Sequence, residues 1–266
     1  MQSKNTEKKV KMAVGSIIIS IAMLFALASN IYGYNIQIAM ASNNSIAKTT
    51  TTNSSPSNPN LMSSPSANSK SIDKATKLVL ALRDLWVDHT GWTRNYIISF
   101  VAGLPDTNFA TQRLLKNQED IGNAIKPFYG NEAGNKLTSL LKDHIMGAVD
   151  LLKAAKAGNT TGAAAAEKKW YENADLIATF LSSANPNWSK EALKSMLDNH
   201  LALTKSEAVA RLTGNYAADI TAYDKVRQEA NMMSDALADG IIKQFPDKFS
   251  SNVGTTTTTA NPTISG

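Results

Sequence analysis

One pattern recurs three times along this chain of 266 residues and limits the folds that it can adopt. A histidine directly follows an Asp or Asn, and two apolar residues stand three and four positions before it. The chain has only three histidines, His89, His144 and His200, and they are separated by 55 and 56 residues. A fixed period of this length is typical of repeated supersecondary units. The spacing predicts three degenerate units, each a pair of helices with its histidine in the first helix.

Helical periodicity fills the stretch that contains the repeat, and no convincing strand-type alternation appears. Cap residues and breakers predict helices over residues 74–102, 107–116, 118–128, 132–157, 163–182 and 189–212, with a last helix that runs from a turn at 213–215 to 245. Helices of this length with short connections pack antiparallel. We therefore predict an all-α fold, an up-and-down helical bundle of about six helices.

Composition sets the limits of this domain. Residues 42–73 and 250–266 are almost entirely Ser, Thr, Asn, Pro and Gly. Such segments cannot bury enough apolar surface to offset the entropy lost on ordering. We predict a disordered linker over 42–73, a helical bundle domain over 74–249 and a disordered Thr-rich tail over 250–266.

Residues 1–41 are predicted to be a signal peptide or an N-terminal membrane anchor. An uncharged apolar run at residues 12–28 follows four basic residues, Lys4, Lys8, Lys9 and Lys11. A basic segment before an apolar one is typical of secretory signals, and the run is just long enough to span a bilayer. Small-residue cleavage patterns occur at 26–28 and 39–41, so cleavage and retention both stay open. In either case the domain is predicted to lie outside the cell, secreted or anchored at the outer face of the membrane.

Charge and cysteine usage exclude several classes of function. The formal net charge is +5, and the first eleven residues contribute +3 of it. The remaining charges are interspersed in sign, so the clustered basic stripe that binds nucleic acid is missing, and we predict no nucleic-acid partner. The absence of cysteine excludes disulfides, thiolate metal sites and cysteine nucleophiles.

The three histidines form the candidate site. In an up-and-down bundle the first helices of the three units run parallel, so residues at the same offset lie at a similar height. Each histidine also falls on the apolar stripe of its helix. We expect His89, His144 and His200 to converge on one interior layer. Three imidazoles and a carboxylate, for which Glu207 is the candidate, suit a divalent transition metal such as Zn, Fe, Mn or Cu.

Polar residues near this layer are predicted to orient the imidazoles, as outer ligands do in metal sites. They are Asp175, Asn173, Thr93, Thr204, Asp219 and Tyr223. Arg94 is a candidate for binding an anion or pairing with a buried carboxylate. The alternative is that the histidines are hydrogen-bonded core residues that set the register of the bundle. The Glu-x-x-His signature of di-metal bundles is absent.

Six short motifs occur in order between about residues 78 and 245: HTGWTR at 89–94, GLPD at 103–106, PFYG at 127–130, WYENAD at 170–175, HLALT at 200–204 and GIIKQF at 240–245. They resemble an uncharacterised family of helical-bundle domains found in Gram-positive spore-formers and some archaea. Some members are named acetylglutamate kinase or glycosyltransferase. This chain has neither the glycine-rich phosphate site nor the nucleotide-sugar fold that those names require. The resemblance implies the helical bundle and no activity.

These features together predict an extracytoplasmic, membrane-tethered binding or sensing module whose His-lined polar core binds a metal or a small ligand. The competing prediction is a structural or interaction domain of the cell surface. Enzyme signatures such as a Gly-rich phosphate loop, a Gly-x-Ser-x-Gly elbow and His-Glu-x-x-His are missing from the sequence. An enzyme is therefore the least favoured of the three classes.

Overall fold

A computed structural model describes residues 73–250 of the protein. The predictions for residues 1–72 and 251–266, including the export segment, lie outside the described residues. Within this range the chain forms six helices and no strand: α1 Lys74–Ala102, α2 Thr107–Lys156, α3 Thr160–Ala184, α4 Lys190–Leu212, α5 Tyr216–Gln244 and α6 Pro246–Phe249. The predicted all-α fold is confirmed. None of these helices is both long and apolar enough to cross a membrane.

Local sequence sets where the helices begin and end. The side chain of Asp73 accepts a hydrogen bond from the backbone N–H of Thr76 at 2.7 Å and caps α1 at the predicted residue. Ser189 caps α4 in the same manner. Asn159 caps α3, which therefore begins at Thr160 and not at the predicted residue 163. Gly103 ends α1 in the left-handed conformation, with φ at 69°, which glycine adopts without a Cβ penalty.

The helix α2 differs from its prediction in one respect. A break was expected at Asn117, but Asn117 is fully buried inside a continuous first half, residues 107–129. The chain turns instead at Gly130, with φ 83° and ψ 170°, and the second half, residues 131–156, runs back along the first. The two halves pack closely, because a Cβ on Gly122 would lie 2.6 Å from the carbonyl oxygen of Gly134.

The three predicted helix pairs are the building units of the bundle. The first unit is α1 with the first half of α2, the second is the second half of α2 with α3, and the third is α4 with α5. Neighbouring units also pack on one another: α3 lies against α4, and α5 lies against α1. The bundle is therefore closed, with the histidine-bearing helices of the three units running in one direction.

The core repeats with the same period as the histidines. Buried apolar residues stand seven and three positions before each histidine: Leu82 and Trp86, Leu137 and Leu141, Leu193 and Leu197. These six side chains line one small cavity of about 30 Å³ in the bundle interior. Equivalent positions of three helices thus meet at one level, and the histidines form the next level along the bundle.

Candidate functional site

The three histidines lie in the interior of the bundle, as expected, and each is only 4% exposed. The rings of His89 and His200 are nearest to each other, with centroids 5.5 Å apart. The indole of Trp86 packs edge-on against His89 at 5.5 Å, and that of Trp170 lies 5.4 Å from His144. We call these three imidazoles the imidazole layer.

Each imidazole is held by a polar side chain on the second helix of its own unit, and the partner always stands 29 residues further along the chain. Nδ1 of His89 lies 3.2 Å from Nε2 of Gln118. Nδ1 of His144 lies 2.9 Å from Oδ1 of Asn173, and Nδ1 of His200 lies 3.0 Å from Oε2 of Glu229. These bonds tie the two helices of each unit together at the same height.

The hydrogen bonds of the partners fix which nitrogen of two rings carries the proton. Asn173 donates from Nδ2 to the carbonyl of Leu140 at 3.1 Å, so its Oδ1 accepts from Nδ1–H of His144. Gln118 directs its Nε2 to the carbonyl of Leu114 at 2.9 Å, which identifies that atom as the amide nitrogen. The two hydrogens of this nitrogen are shared among the carbonyl of Leu114, Oδ1 of Asn117 at 3.0 Å and Nδ1 of His89. Because an amide nitrogen can only donate, its bond to Nδ1 of His89 places the ring proton on Nε2.

His200, the third imidazole, bonds a carboxylate, whereas the other two bond amide groups. Glu229 accepts the Nδ1–H of His200. At the other ring nitrogen, His89 then carries an N–H, whereas neutral His144 carries a lone pair. The layer is built by one repeated design, but its three units present different hydrogen-bonding groups.

Burial keeps two of the imidazoles uncharged. Desolvation lowers the pKa of His89 well below its usual range, and the nearby His200 and His144 lower it further. Desolvation also lowers the pKa of His144 to about 3, with His200 acting in the same direction. Both rings are therefore neutral at physiological pH.

Within residues 73–250, no group of three or more His, Asp or Glu side chains is arranged to hold a metal ion. The carboxylate of Glu207, the candidate fourth ligand, instead accepts a hydrogen bond from Nη1 of Arg94 at 2.8 Å. The tautomer assigned to His89 also leaves an N–H, and not a lone pair, on its second ring nitrogen. Metal binding by this set would require Gln118 to release His89.

Arg94 is the centre of a separate buried charge cluster. It bonds Glu207 and Asp219, each at 2.8 Å, and its guanidinium lies 4.6 Å above the ring of Tyr223. Arg211 adds a second cation at 3.1 Å from Asp219. Desolvation raises the pKa of Glu207 to about 7 against the opposing effect of Arg94. Arg94 thus pairs with buried carboxylates, one of the two roles predicted for it.

Of the remaining polar residues predicted to orient the imidazoles, only Asn173 bonds an imidazole nitrogen among the described residues. Asn173 contacts His144 directly, as described above. Thr93 donates to the carbonyl of His89 within its own helix at 2.8 Å. Thr204 is buried, and its hydroxyl has no hydrogen-bond partner in the described residues. Asp175 lies at the surface, half exposed, and pairs with Lys194.

Two hydrogen-bond partners of the imidazole layer, Gln118 and Glu229, were not predicted from the sequence. Both stand on the second helices of their units, where a polar residue interrupts a buried apolar stripe. Each of them stands 29 residues after a histidine, and Asn173 stands at the same offset from His144. Applying the repeat to the second helices would have found all three.

A cavity of about 50 Å³ adjoins the layer. The residues four positions after the histidines, Thr93, Ala148 and Thr204, all line it, so it lies one helical turn beyond the imidazoles. Trp170, which packs on His144, is also part of its wall. The rest of the wall is almost entirely apolar, and the cavity is partly open to solvent.

No protein-family model matches this chain, and no curated protein and no solved structure is significantly similar to it. The resemblance to the helical-domain family stays a prediction from the sequence. The function of the site must therefore be argued from its own geometry.

Proposed function

We propose that this protein is a non-enzymatic binding module that receives a small ligand in the interior of its bundle, between the imidazole layer and the adjoining cavity. The observation that carries this proposal is the position of the cavity. Equivalent residues of all three units line it, one turn from three buried histidines. A largely apolar pocket with a few fixed polar groups is the usual form of a small-molecule site.

The imidazole layer supports this role because its hydrogen-bonding groups are fixed before any ligand arrives. Each Nδ1 is bonded to a neighbouring helix. The ring orientations are thereby set, and a ligand need not order them on binding. Preorganisation of this kind lowers the entropic cost of recognition.

We propose two alternative functions, each supported by a separate observation. A divalent transition metal is the second candidate, because ligating histidines commonly donate a hydrogen bond from their other ring nitrogen, as His144 and His200 do here. A structural domain of the cell surface is the third, because the same bonds set the register of each helix pair.

Ligand titrations followed by NMR test the binding function. We would titrate the full-length chain with a panel of neutral, anionic and cationic fragments of up to about eight heavy atoms, and follow the imidazole and indole signals. The proposal expects saturable shifts at His89, His144, His200 and Trp170. A panel that leaves all four signals unchanged would favour the structural role.

Metal analysis of the same chain, purified without a His-tag, tests the second candidate. Stoichiometric metal in the wild-type protein, lost in a His144→Ala variant, would establish it. A melting temperature unchanged by Zn²⁺, Mn²⁺, Fe²⁺ and Cu²⁺ would remove it, because a ligand that binds only the folded state must stabilise that state.

We also propose that the domain lies outside the cell, on the basis of the basic and apolar residues at 1–28. Protease treatment of intact cells tests this location. Loss of the 73–250 region while a cytoplasmic marker stays intact would support it. Protection of this region until the cells are lysed would count against it.

A further inference from the structure

The cavity next to the imidazole layer has walls that indicate the class of its ligand. Its residues come from four helices: α1, both halves of α2, α3 and α4. Most are Ile, Leu, Val and Ala, such as Ile97, Ile145, Val149 and Leu152. An apolar wall of this kind binds hydrocarbon groups and disfavours ions and strongly hydrated groups.

Three of the wall residues carry a polar atom without a partner. The hydroxyl of Tyr96, the indole N–H of Trp170 and the hydroxyl of Thr204 have no hydrogen-bond partner in the described residues. These residues are 4%, 3% and 5% exposed. Buried polar groups are nearly always hydrogen-bonded in native proteins, so three such groups around one cavity require an explanation.

The described residues of the wall offer no free charge. Lys205 is the one charged residue among them, and its ammonium group lies 2.6 Å from the carboxylate of Glu167. The neighbouring His144 is neutral because burial lowers its pKa. A charged ligand would therefore lose its hydration shell without gaining an unpaired counter-charge.

We infer that this cavity takes a small uncharged molecule, mostly hydrocarbon, with one hydroxyl or carbonyl oxygen. The hydrocarbon part would occupy the apolar wall, and the oxygen would bond the unpartnered groups of Trp170 and Thr204. This inference rests on the proposed binding function and names its ligand class. The volume of about 50 Å³ exceeds what one water needs and suits a chain of a few carbon atoms, with the remainder extending through the open side.

A matched series of four-carbon probes tests the ligand class: butan-1-ol, butyrate and butylammonium. Each is titrated into the ¹⁵N-labelled full-length chain while the indole N–H signals are recorded. A Trp170→Phe variant identifies the Trp170 signal among the four tryptophans. We expect saturable shifts of that signal with butan-1-ol, and at least tenfold weaker binding of both ions. Equal or tighter binding of either ion, or no saturable shift with the alcohol, would overturn the inference.

Two variants locate the binding at this cavity. Ala148→Leu fills it and should abolish butan-1-ol binding, whereas Ala165→Leu, the same change at an exposed position of α3, should leave binding unchanged. Thr204→Val removes one hydroxyl at nearly constant volume and should weaken the alcohol about fivefold, the effect of one hydrogen bond. Binding that survives Ala148→Leu, in a variant shown by circular dichroism to be folded, would place the alcohol elsewhere and refute the assignment.

Failure of this inference differs from failure of the proposed function. If the ions or other fragments shift the imidazole signals while butan-1-ol does not, the domain is still a binding module and only the ligand class is wrong. If no probe shifts them, both proposals fall.

Discussion

The partners of the buried imidazoles are single residues whose loss should be measurable. Asn173 bonds both His144 and the carbonyl of Leu140. Its side chain therefore satisfies polar groups on two buried residues. The surface pair of Asp175 and Lys194 leaves both charges hydrated when it breaks.

Replacement of Asn173 by Ala should lower the free energy of unfolding by about 1–3 kcal/mol, because it leaves buried polar groups unpaired. Urea denaturation monitored by circular dichroism measures the change. The control is Asp175→Ala, two positions away, which should cost less than about 1 kcal/mol. Equal losses for the two variants would mean that the bond to His144 contributes little.

The buried charge cluster around Arg94 allows a second comparison of a buried ion pair with an exposed one. Removing Arg94 leaves Glu207 and Asp219 without their shared cation, and both side chains are about 1% exposed. Arg94→Met should destabilise the protein by about 3–5 kcal/mol. Arg83→Met, on the same helix, breaks a pair with Asp235 whose partners are 47% and 41% exposed, and should cost less than about 1 kcal/mol. Thermal and urea unfolding of both variants provide the measurement, and a loss below about 1 kcal/mol for Arg94→Met would contradict it.

At the scale of helices, the turn within α2 depends on close backbone packing. An added Cβ at Gly122 would lie 2.0 Å from the hydroxyl of Thr138 and 2.6 Å from the carbonyl of Gly134. The hydroxyl can rotate away, but the carbonyl belongs to the backbone of the opposing half-helix. The two halves of α2 would have to separate to admit a methyl group.

The substitution Gly122→Ala should therefore destabilise the domain by about 1–3 kcal/mol, although alanine is the better helix former. Gly91→Ala is the matched control, because nothing lies within 4 Å of its added Cβ. That variant should gain about 0.5–1 kcal/mol from helix propensity alone. Urea midpoints that move in the same direction for both would show that the halves of α2 are not tightly packed.

At the scale of the whole molecule, the buried histidines link stability to pH. The folded state lowers the pKa of His89 and His144, so both stay neutral while the unfolded chain takes up protons below about pH 6.5. Each histidine should then reduce stability by up to about 1.4 kcal/mol per pH unit as the pH falls, down to about pH 3 for His144. Glu207 acts in the opposite direction, because its pKa is raised to about 7 and it favours the folded state at lower pH.

Two histidines outweigh one carboxylate, so the free energy of unfolding should fall between pH 6.5 and 5. Urea titrations at pH 7.5, 6.5 and 5.5 measure this slope. The slope should become smaller in His144→Phe and steeper in Glu207→Gln. A stability that rises as the pH falls through this range would contradict the neutral state of the rings.

The sequence by itself determined the helices and the three-unit plan. Helix limits follow from local caps, such as Asp73 and Ser189, and the units follow from the histidine spacing. The burial of the histidines also followed, because a stripe of apolar residues must face the interior. These properties depend on residues that are close together in the sequence, or on the regular spacing of apolar residues and histidines.

Only the tertiary structure decided what surrounds each imidazole. The partners Gln118 and Glu229 stand on other helices, and Glu207, which the sequence offered as a metal ligand, turned out to bond Arg94. Direction and distance between side chains on different helices depend on how the helices rotate and tilt when they pack. Sequence periodicity shows which face is buried, but it does not show which polar groups meet there.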